Sequence, residues 1–331
     1  MKRLIVVYNP RSSRFSDVQK NVLDRVHSLK GFTIGKYEIA PTNLEDNIAK
    51  LAQILRDDDL LLSAGGDATG VISANAIIKS KKDVTLAVLP FGNFNDLART
   101  LGTKTFDDVF KEDKSFKTGD TDWGTPKMFD DSQNFGGKSV AGPVCKTLYP
   151  LEIIVDGKLF RYATCYVTIG MTAAAVELYD SHKMRAKLKT NFGRKFSSYT
   201  NLASWYFKNR HQQVFLPEFK LNGKQMPIKT TDYAAVNGRS MARVMKGGED
   251  FLDPTYFRSE TDRLASFPRL FKLMSRSIFS RIPGTTTEGD KLEFISPATF
   301  TLQAEGESKT FEKVKKIEIK KGDKCLKVIT N

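Results

Sequence analysis

The sequence predicts a protein of class α/β plus β, with an N-terminal doubly wound α/β domain and a C-terminal antiparallel β-sandwich domain that carries helical insertions. Two observations support this prediction. Over the first hundred residues, short apolar runs alternate with segments of helical periodicity, and the connections between them are short. This alternation is typical of a parallel sheet with helices on its faces. After roughly residue 123, alternating strands are joined by tight turns, which is typical of antiparallel sheet.

The first domain is predicted at residues 1–122. Its strands are predicted at 3–8, 32–40, 59–64 and 84–90, and its helices at 17–29, 44–55, 68–79 and 94–101. The strands are apolar runs of the buried type, such as RLIVVY, whereas the helices repeat apolar residues every three or four positions. Thr42 or Asn43 is the expected N-cap of the second helix, because both side chains can accept a hydrogen bond from the first helical turn.

The second domain is predicted at residues 123–324, and the last strand, near 325–331, is a candidate to return to the sheet of the first domain. Asp156-Gly157 and Asn222-Gly223 indicate hairpins, because both turn positions of such hairpins need positive φ. The remaining assignments are two further hairpins and a polar loop, at 298–314, 315–330 and 127–146.

Composition and charge narrow the range of partners. The 331 residues are 40% hydrophobic, and 52 Lys and Arg against 38 Asp and Glu give a net charge of +14. Such a charge favours nucleic acid, nucleotide phosphates or an anionic membrane as a partner. The three cysteines lack CxxC spacing, so neither a disulfide framework nor a zinc site is expected. The first apolar run is too short for a signal peptide, and no run approaches the roughly 18 apolar residues that span a bilayer.

Two segments of the second domain are basic and amphipathic. Residues 181–217 contain eight Lys or Arg and no acidic residue, and their aromatic residues recur at helical spacing. Residues 267–282 place apolar residues on one stripe, with arginine and lysine elsewhere. Either segment fits a helix that lies on an anionic membrane, and equally a helix that packs its apolar stripe on the sheet. The sequence leaves both interpretations open.

Polar loops follow three of the predicted strands. LSAGGDATG (62–70) ends a strand with Gly65 and Gly66, which allow a ligand to approach the backbone closely, and then opens a helix whose first N–H groups suit a phosphate. Taken alone, this corner also fits an ordinary capped turn. However, NPRSS (9–13) follows the first strand and PFGNFND (90–96) the fourth. Because the carboxyl ends of parallel strands share one sheet edge, the three loops together predict a nucleotide pocket.

The three loops resemble the signatures of the diacylglycerol kinase catalytic-domain family, which includes bacterial lipid kinases and sphingosine kinases. NPRSS, GGDAT and PFGNFNDLAR are similar to the family patterns NPxSG, GGDGT and PxGTxNDxAR, and LQAEGES (302–308) is similar to its QxDGE hairpin. NAD kinases share the superfamily, but the NDxAR ending is typical of the lipid branch. The resemblance implies an α/β nucleotide domain and a β-sandwich domain with ATP in the cleft between them. It also implies Mg²⁺-dependent phosphorylation of a lipid hydroxyl.

The resemblance assigns site residues as well. Those expected to contact the nucleotide and its phosphates are Asn9, Pro10, Ser12, Ser13, Thr42, Gly65, Gly66, Asp67, Ala68, Thr69, Asn93 and Asp96. Glu307 matches the acidic residue of the hairpin and is the expected general base, which takes the proton of the lipid hydroxyl as its oxygen attacks the γ-phosphate. Asp67 is the second expected catalytic carboxylate. Positioning and charge neutralisation by Mg²⁺ and cationic side chains would supply much of the remaining catalysis.

The sequence departs from the family patterns at several positions. Ala68 replaces the third glycine of GGDGT, Asn93 replaces a threonine, and Glu305 replaces the aspartate of DGE. The acidic loop that should hold magnesium is present in altered register as GGEDFLDP, with Asp250 and Asp253 as candidate ligands. These departures leave a catalytically degenerate, lipid-binding relative open as an alternative.

A second alternative is an NAD kinase, which uses a similar glycine-rich corner. FGGKS (135–139) imitates part of a P-loop, but no strand precedes it, and no nucleic-acid-binding motif accompanies the positive charge. We therefore expect an enzyme that works in the cytoplasm, peripherally at the inner face of the membrane, with a lipid substrate in an anionic bilayer and no nucleic-acid partner. The identity of the lipid is left open, and so is a homodimer.

Overall fold

The structure is a computed structural model, and it describes residues 2–110, 144–170, 173, 216–228, 230–241, 245–262 and 285–331. The chain divides into two compact units. Unit 1 comprises Met1–Asn93, Leu101–Thr147 and Leu326–Asn331, and unit 2 comprises Phe94–Thr100 and Leu148–Cys325. Unit 1 contains a parallel sheet with helices and unit 2 an antiparallel sheet, so the predicted fold class is confirmed.

Unit 1 is built on a six-stranded sheet. Its strands are β1 (Lys2–Tyr8), β2 (Phe32–Glu38), β3 (Leu60–Gly65), β4 (Thr85–Pro90), β5 (Val144–Leu148) and the last strand of the chain, β18 (Leu326–Thr330). The order in the sheet is β2-β1-β3-β4-β18-β5, and the pairs from β2 through to β18 are parallel. All four strands predicted in the first hundred residues are present.

Both faces of this sheet are covered, because alternate side chains of each strand point to opposite sides. The helices are α1 (Phe15–Val18), α2 (Leu44–Ile54), α3 (Asp67–Ser80), α4 (Asp96–Leu101) and α5 (Phe106–Val109). On one face, even-numbered residues of β1 and β3 form a core with the helical segment 15–28 and α5. Helix α3 packs against β1, β3 and β4 and against α2. This arrangement places the loops after β1, β3 and β4 at one edge of the sheet.

The first predicted helix, 17–29, is not continuous. It consists of α1, a π-helical segment and a 3₁₀ turn, at Phe15–Val18, Gln19–Leu23 and Val26–Ser28. The N–H of Asp24 donates to the carbonyl oxygen of Gln19, five residues earlier, at 3.0 Å, which is the bonding of a π-helix. Val18, Val22 and Val26, which have the helical spacing in this segment, are nevertheless all buried. The periodicity therefore identified the packed face correctly.

The structure shows which residues cap or begin the helices α2, α3 and α4. Asn43, not Thr42, caps α2, because its Oδ1 accepts from the N–H of Asp46 at 2.7 Å. The N-cap of α3 is Gly66, and no side chain caps this helix. Helix α4 begins at Asp96, two residues later than predicted, because the preceding residue Asn95 has φ of 56° and lies in the left-handed region.

Unit 2 contains a ten-stranded antiparallel sheet and a two-stranded ladder. Its strands are β6 (Leu151–Val155), β7 (Lys158–Ala163), β8 (Tyr166–Gly170), β9 (Phe219–Leu221), β10 (Lys224–Gln225), β11 (Asp232–Val236), β12 (Ser240–Met241), β13 (Met245–Lys246), β14 (Phe257–Asp262), β15 (Thr285–Thr287), β16 (Gly289–Ala304) and β17 (Glu307–Lys321). The order is β15-β14-β11-β8-β16-β17-β6-β7, with β9 beside β16 and β10 beside β9, while β12 pairs with β13.

The long hairpin of β16 and β17 connects the two halves of this sheet. Early in β16, Leu292 pairs with Leu221 of β9, whereas near its end Leu302 pairs with Ile169 of β8. Register shifts between Glu293 and Phe300 lie where the strand changes neighbours. Such irregularities bend a strand and increase its twist. One hydrophobic core collects side chains from β6 to β9, β11, β14, β16 and β17.

The predicted tight turns are confirmed at both positions. Asp156 and Gly157 have φ of 46° and 77°, and Asn222 and Gly223 have φ of 51° and 79°. The hairpin predicted at 298–314 is part of β16 and β17, but the one predicted at 315–330 is wrong. Strand β18 joins the parallel sheet beside β4, where Leu326 and Val328 are buried, and is not paired with β17.

Some predicted segments lie outside the described residues. These are most of the polar loop at 127–146, nearly all of the basic segment 181–217, the basic segment 267–282, and FGGKS at 135–139. The described end of that predicted loop, 144–146, is wrong as a loop because it lies in β5. Within the part of the chain that the structure covers, no helix is both long and apolar enough to cross a bilayer.

Candidate nucleotide and phosphoryl-transfer site

The loop after β1 is folded by its own asparagine. The Oδ1 of Asn9 accepts from the N–H of Arg11 at 3.0 Å, and its carbonyl oxygen accepts from the N–H of Ser12 at 3.1 Å. This is an asparagine turn, in which Pro10 supplies a fixed φ. Pro10 and Ser12 are half-buried, whereas Ser13 is exposed. The loop therefore presents two hydroxyl groups from a rigid turn.

The corner after β3 cannot accommodate a side chain at its first glycine. A Cβ on Gly65 would lie 2.3 Å from Oγ1 of Thr69, closer than any real contact. Thr69 is itself buried, and its N–H donates to the carbonyl oxygen of Gly66 at 3.0 Å. Asp67 and Ala68, at the start of α3, are half-buried. The first turn of this 14-residue helix has no side-chain cap, as in helices whose N-terminus receives an anion.

The three loops of unit 1 contact one another. The N–H of Phe91 donates to the carbonyl oxygen of Gly65 at 2.9 Å, and a Cβ on Gly66 would lie 3.1 Å from Cα of Gly92. Arg14 follows the first loop and reaches the third, because its Nη1 donates to the carbonyl oxygen of Pro90 at 3.4 Å and its guanidinium lies over the ring of Phe91. The structure thus brings the three polar loops together at one edge of the sheet.

The loop that holds Thr42 is fixed by a buried asparagine. Asn47 on α2 is almost fully buried, and its Nδ2 donates to Oγ1 of Thr42 at 3.1 Å and to the carbonyl oxygen of Ala40 at 3.2 Å. Its Oδ1 accepts from the N–H of Ala40 at 2.9 Å. Thr42 is exposed at the end of this loop. Sequence reasoning missed Asn47, although a polar residue on the apolar stripe of LEDNIAKLAQIL was the available signal.

The two predicted site residues of PFGNFND differ in exposure. Asn93 is exposed, whereas Asp96 is fully buried within unit 2. One carboxylate oxygen of Asp96 lies 2.7 Å from Nη2 of Arg99 and accepts from Oγ of Ser240 at 2.8 Å. These contacts tie the start of α4 to the first residue of β12. No local pattern points to Ser240, since it lies 144 residues from its partner.

The turn between β16 and β17 is held by the side chain that departs from the family pattern. Glu305 has φ of 52° and Gly306 φ of 89°, the positive values of a two-residue hairpin turn. The Glu305 carboxylate is buried, accepts from Oγ1 of Thr164 at 2.6 Å and accepts from the backbone N–H of Cys165. Glu307 follows as the first residue of β17 and is half-buried. The extra methylene of Glu305 therefore serves a buried contact on the neighbouring β7–β8 connection.

Cys165 links this hairpin turn to helix α4. Its Sγ lies 3.5 Å from Oγ1 of Thr100, and that hydroxyl also accepts from the N–H of Arg239 at 3.1 Å. The packing is close, because a Cβ on Gly238 would lie 2.6 Å from the same hydroxyl oxygen. Burial, with the negative charge of Glu305 and Asp96 nearby, raises the pKa of Cys165 well above its ordinary value. Parts of two sequence signatures, NDLAR and AEGE, thus meet around one buried thiol within unit 2.

The expected metal ligands Asp250 and Asp253 lie near Lys321. Oδ2 of Asp250 lies 2.9 Å from Nε of Arg258, and Oδ1 of Asp253 accepts from the N–H and the hydroxyl of Thr255, both at 2.7 Å. Burial raises the pKa of Asp250 and is opposed by Arg258, whereas the hydrogen bonds from Thr255 lower that of Asp253. The Nζ of Lys321 donates to the carbonyl oxygen of Asp250 at 2.7 Å. These residues fit an ammonium ion rather than Mg²⁺, because one oxygen of each carboxylate is already engaged by the chain and a lysine ammonium group lies beside them. Among the residues described, no group of three or more His, Cys, Asp or Glu side chains could hold a metal ion.

Comparison with known proteins agrees with the resemblance found in the three loops after β1, β3 and β4. The family described as "Diacylglycerol kinase catalytic domain" matches residues 3–120. A curated protein of Bacillus subtilis (strain 168), named "Diacylglycerol kinase", is 39% identical over 107 residues. That similarity covers 31% of this chain and 34% of the relative, so it spans about a third of each protein. Residues 3–120 are thus similar to the diacylglycerol kinase catalytic domain, and this similarity covers about a third of the chain.

The structural similarity extends further than the sequence similarity. A crystal structure described as a diacylglycerol kinase from Bacillus anthracis str. Sterne matches with a TM-score of 0.59 and 13% sequence identity. The match covers 100% of this chain and 97% of that chain. At this identity the likeness shows that both proteins share a fold. The matched part of this chain includes unit 2.

Proposed function

We propose that this protein is a lipid kinase that transfers the γ-phosphate of MgATP to the hydroxyl group of a membrane lipid. The proposal rests on the match of residues 3–120 to the diacylglycerol kinase catalytic domain and on the geometry of the three loops in unit 1. The observation that carries it is the corner at Gly65 and Gly66. This corner excludes side chains, contacts the loop after β4 and opens a helix without a side-chain cap.

In this proposal, unit 1 binds the nucleotide. The residues proposed to contact ATP are Asn9, Pro10, Ser12, Ser13, Thr42, Gly65, Gly66, Asp67, Ala68, Thr69 and Asn93. The N-terminus of α3 would stabilise phosphate charge through its backbone N–H groups and the helix dipole. Asp67 is the carboxylate of this corner and the proposed partner of the Mg²⁺ ion that accompanies ATP as part of the substrate. Asp96 differs from the other predicted residues because its carboxylate is buried with Arg99 and Ser240, so we propose a positioning role for it.

The proposed chemistry is an in-line displacement with Glu307 as the general base. The oxygen of the lipid hydroxyl attacks the γ-phosphorus while the bond from that phosphorus to the bridging oxygen breaks, and ADP leaves. The hydroxyl proton passes to the carboxylate of Glu307. A half-buried carboxylate at the start of a strand suits this role, because the hairpin turn before it is fixed by Glu305. General-base catalysis of this kind contributes about 10²–10⁴-fold to a rate.

The net charge of +14 supports an anionic membrane as the place where the lipid is met. Lipid charge would attract the protein without any spanning segment, and the attraction should weaken as salt is added. We accordingly propose a cytoplasmic enzyme that associates peripherally with the inner face of the membrane.

A labelled-phosphate transfer assay tests the function. The purified chain is incubated with γ-labelled ATP, Mg²⁺ and anionic vesicles that carry diacylglycerol, a sphingoid base, phosphatidylglycerol alone or a polyprenol, and NAD is offered in a separate reaction. We expect one class of hydroxyl lipid to be labelled and NAD to remain unlabelled. Label in NAD but in no lipid would identify an NAD kinase. No label in any acceptor, with vesicle binding intact, would identify a lipid-binding protein without kinase activity.

A further inference from the structure

A lysine ammonium group lies beside the loop in which magnesium was expected, and it is bound by three oxygen atoms. Lys321 is the last residue of β17 and is half-buried. Its Nζ donates to the carbonyl oxygens of Asp250 at 2.7 Å and Tyr149 at 3.1 Å, and to Oδ1 of Asn237. An ammonium group has three hydrogen-bond donors and no acceptor, so these three oxygens use all of its donors.

The three oxygen ligands come from separate segments and are held in place by other contacts. Nδ2 of Asn237 donates to the carbonyl oxygens of Tyr149 at 2.9 Å and Thr164 at 2.8 Å. Because both protons of this amide are used, its Oδ1 is the atom that faces Lys321. The N–H of Tyr149 donates to the carbonyl oxygen of Phe251 at 2.8 Å, which joins two of the three segments directly. The cage is therefore organised around the cation.

Charges around the cage balance without a metal ion. Asp250 faces Arg258 across 2.9 Å, and both Asp250 and Asp253 act electrostatically on Lys321. Two carboxylates thus face two cationic side chains, Arg258 and Lys321.

We propose that Lys321 is the resident cation of the loop 247–256 and takes the place of a bound divalent ion there. The ammonium group joins the end of β17, the segment after β11 and the 3₁₀ turn at Asp250–Leu252. It follows that this loop needs no Mg²⁺ to hold its structure, and that a Mg²⁺ requirement in catalysis would come with the nucleotide. The first consequence holds whether or not the chain is a kinase.

The test is thermal unfolding of the full chain without nucleotide, in EDTA and in millimolar MgCl₂. We expect the same melting temperature in both for the unmodified protein. Lys321→Met should lower it by several degrees, since it removes a hydrogen-bond donor from three part-buried oxygens. Lys320→Met is the matched control, because that side chain is half exposed and lies 3.9 Å from its only ion-pair partner among the described residues. It should unfold like the unmodified protein.

Two outcomes would overturn the proposal. One is a rise in the melting temperature of the unmodified protein with Mg²⁺ that Asp253→Asn abolishes, because the loop would then hold a metal ion. The other is a Lys321→Met protein as stable as the Lys320→Met protein. If Lys321→Met does not fold, calorimetric titration of the unmodified protein with Mn²⁺ decides the question: absence of binding that depends on Asp253 supports the proposal, and its presence contradicts it.

Discussion

The hydroxyl group of Thr164 donates to the carboxylate of Glu305 at 2.6 Å across 141 residues of sequence. This contact fixes the turn from which Glu307 begins β17. Glu305 adopts a positive φ of 52°, which costs a residue with a long side chain roughly 1–2 kcal/mol. The two hydrogen bonds that its buried carboxylate accepts, from Thr164 and from the N–H of Cys165, offset that cost. The exchange of aspartate for glutamate relative to the family pattern is thus explained by what the carboxylate reaches.

Glu305→Ala should destabilise the protein by about 1–3 kcal/mol, because it leaves a buried hydroxyl and a buried N–H without an acceptor. Glu305→Gln keeps an acceptor oxygen and should lose less. Denaturant unfolding measures both changes. Phosphoryl transfer should fall in the same order, since the turn positions Glu307. Equal stability of the alanine variant and the unmodified protein would show that these hydrogen bonds do not hold the turn.

Gly65→Ala should weaken MgATP binding at least tenfold, since a Cβ there would lie 2.3 Å from Oγ1 of Thr69 and the corner would have to open. Equilibrium nucleotide binding is the measurement. Gly35→Ala is the control on β2, where an added Cβ would meet Ile5 at 3.6 Å, an ordinary contact. Unchanged affinity in the Gly65→Ala protein would separate this corner from the nucleotide.

Ala68→Gly should increase the affinity for MgATP, because it restores the glycine of the family pattern in the first turn of α3. The same change should cost about 0.5–1 kcal/mol of stability, as glycine does within a helix. Ala49→Gly in α2 is the matched control, which should show the loss of stability with no gain in affinity. Weaker nucleotide binding by Ala68→Gly would mean that the methyl group is part of the site.

Thiol reactivity reports on the centre of unit 2. Cys145 and Cys325 are exposed and Cys165 is buried with a raised pKa, so a thiol reagent at pH 8 should modify two thiols in the native protein. Cys145 should react more slowly than Cys325, because burial raises its pKa as well. The third should react only on unfolding, because the thiolate is the reactive form. The Glu305→Ala change should accelerate the reaction of Cys165, since it loosens the turn packed against it. Three fast thiols in the unmodified protein would contradict the described packing.

Sequence patterns located the elements of unit 1 because buried parallel strands and their helices have strong local periodicity. They also located the three loops, since glycine, proline and asparagine determine backbone shape locally. The partners of Asp96, Glu305 and Lys321 were beyond such reasoning. Each contact joins residues more than 70 positions apart, and nothing local distinguishes a lysine that reaches into a cage of carbonyl oxygens from one that points to solvent.

The strand pairing of residues 315–330 illustrates the same limit. Their alternation predicted a hairpin, yet β17 ends in the antiparallel sheet and β18 pairs with β4 in the parallel one. Alternation identifies a strand but not its partner, which depends on the edge that the rest of the chain leaves open. Likewise, Asp250 and Asp253 had the composition of a metal site, and only the position of Lys321 separates the two interpretations.

The most direct test of the account is the Glu307→Gln variant in the phosphoryl-transfer assay, with Glu312→Gln, an exposed residue of the same strand, as control. We predict that Glu307→Gln lowers the rate constant of transfer about 10²–10⁴-fold, the contribution of a general base, while the dissociation constant of MgATP stays within twofold. Glu312→Gln should transfer phosphate at the unmodified rate. Transfer by Glu307→Gln at the rate of the control would contradict the assignment of Glu307 as the base.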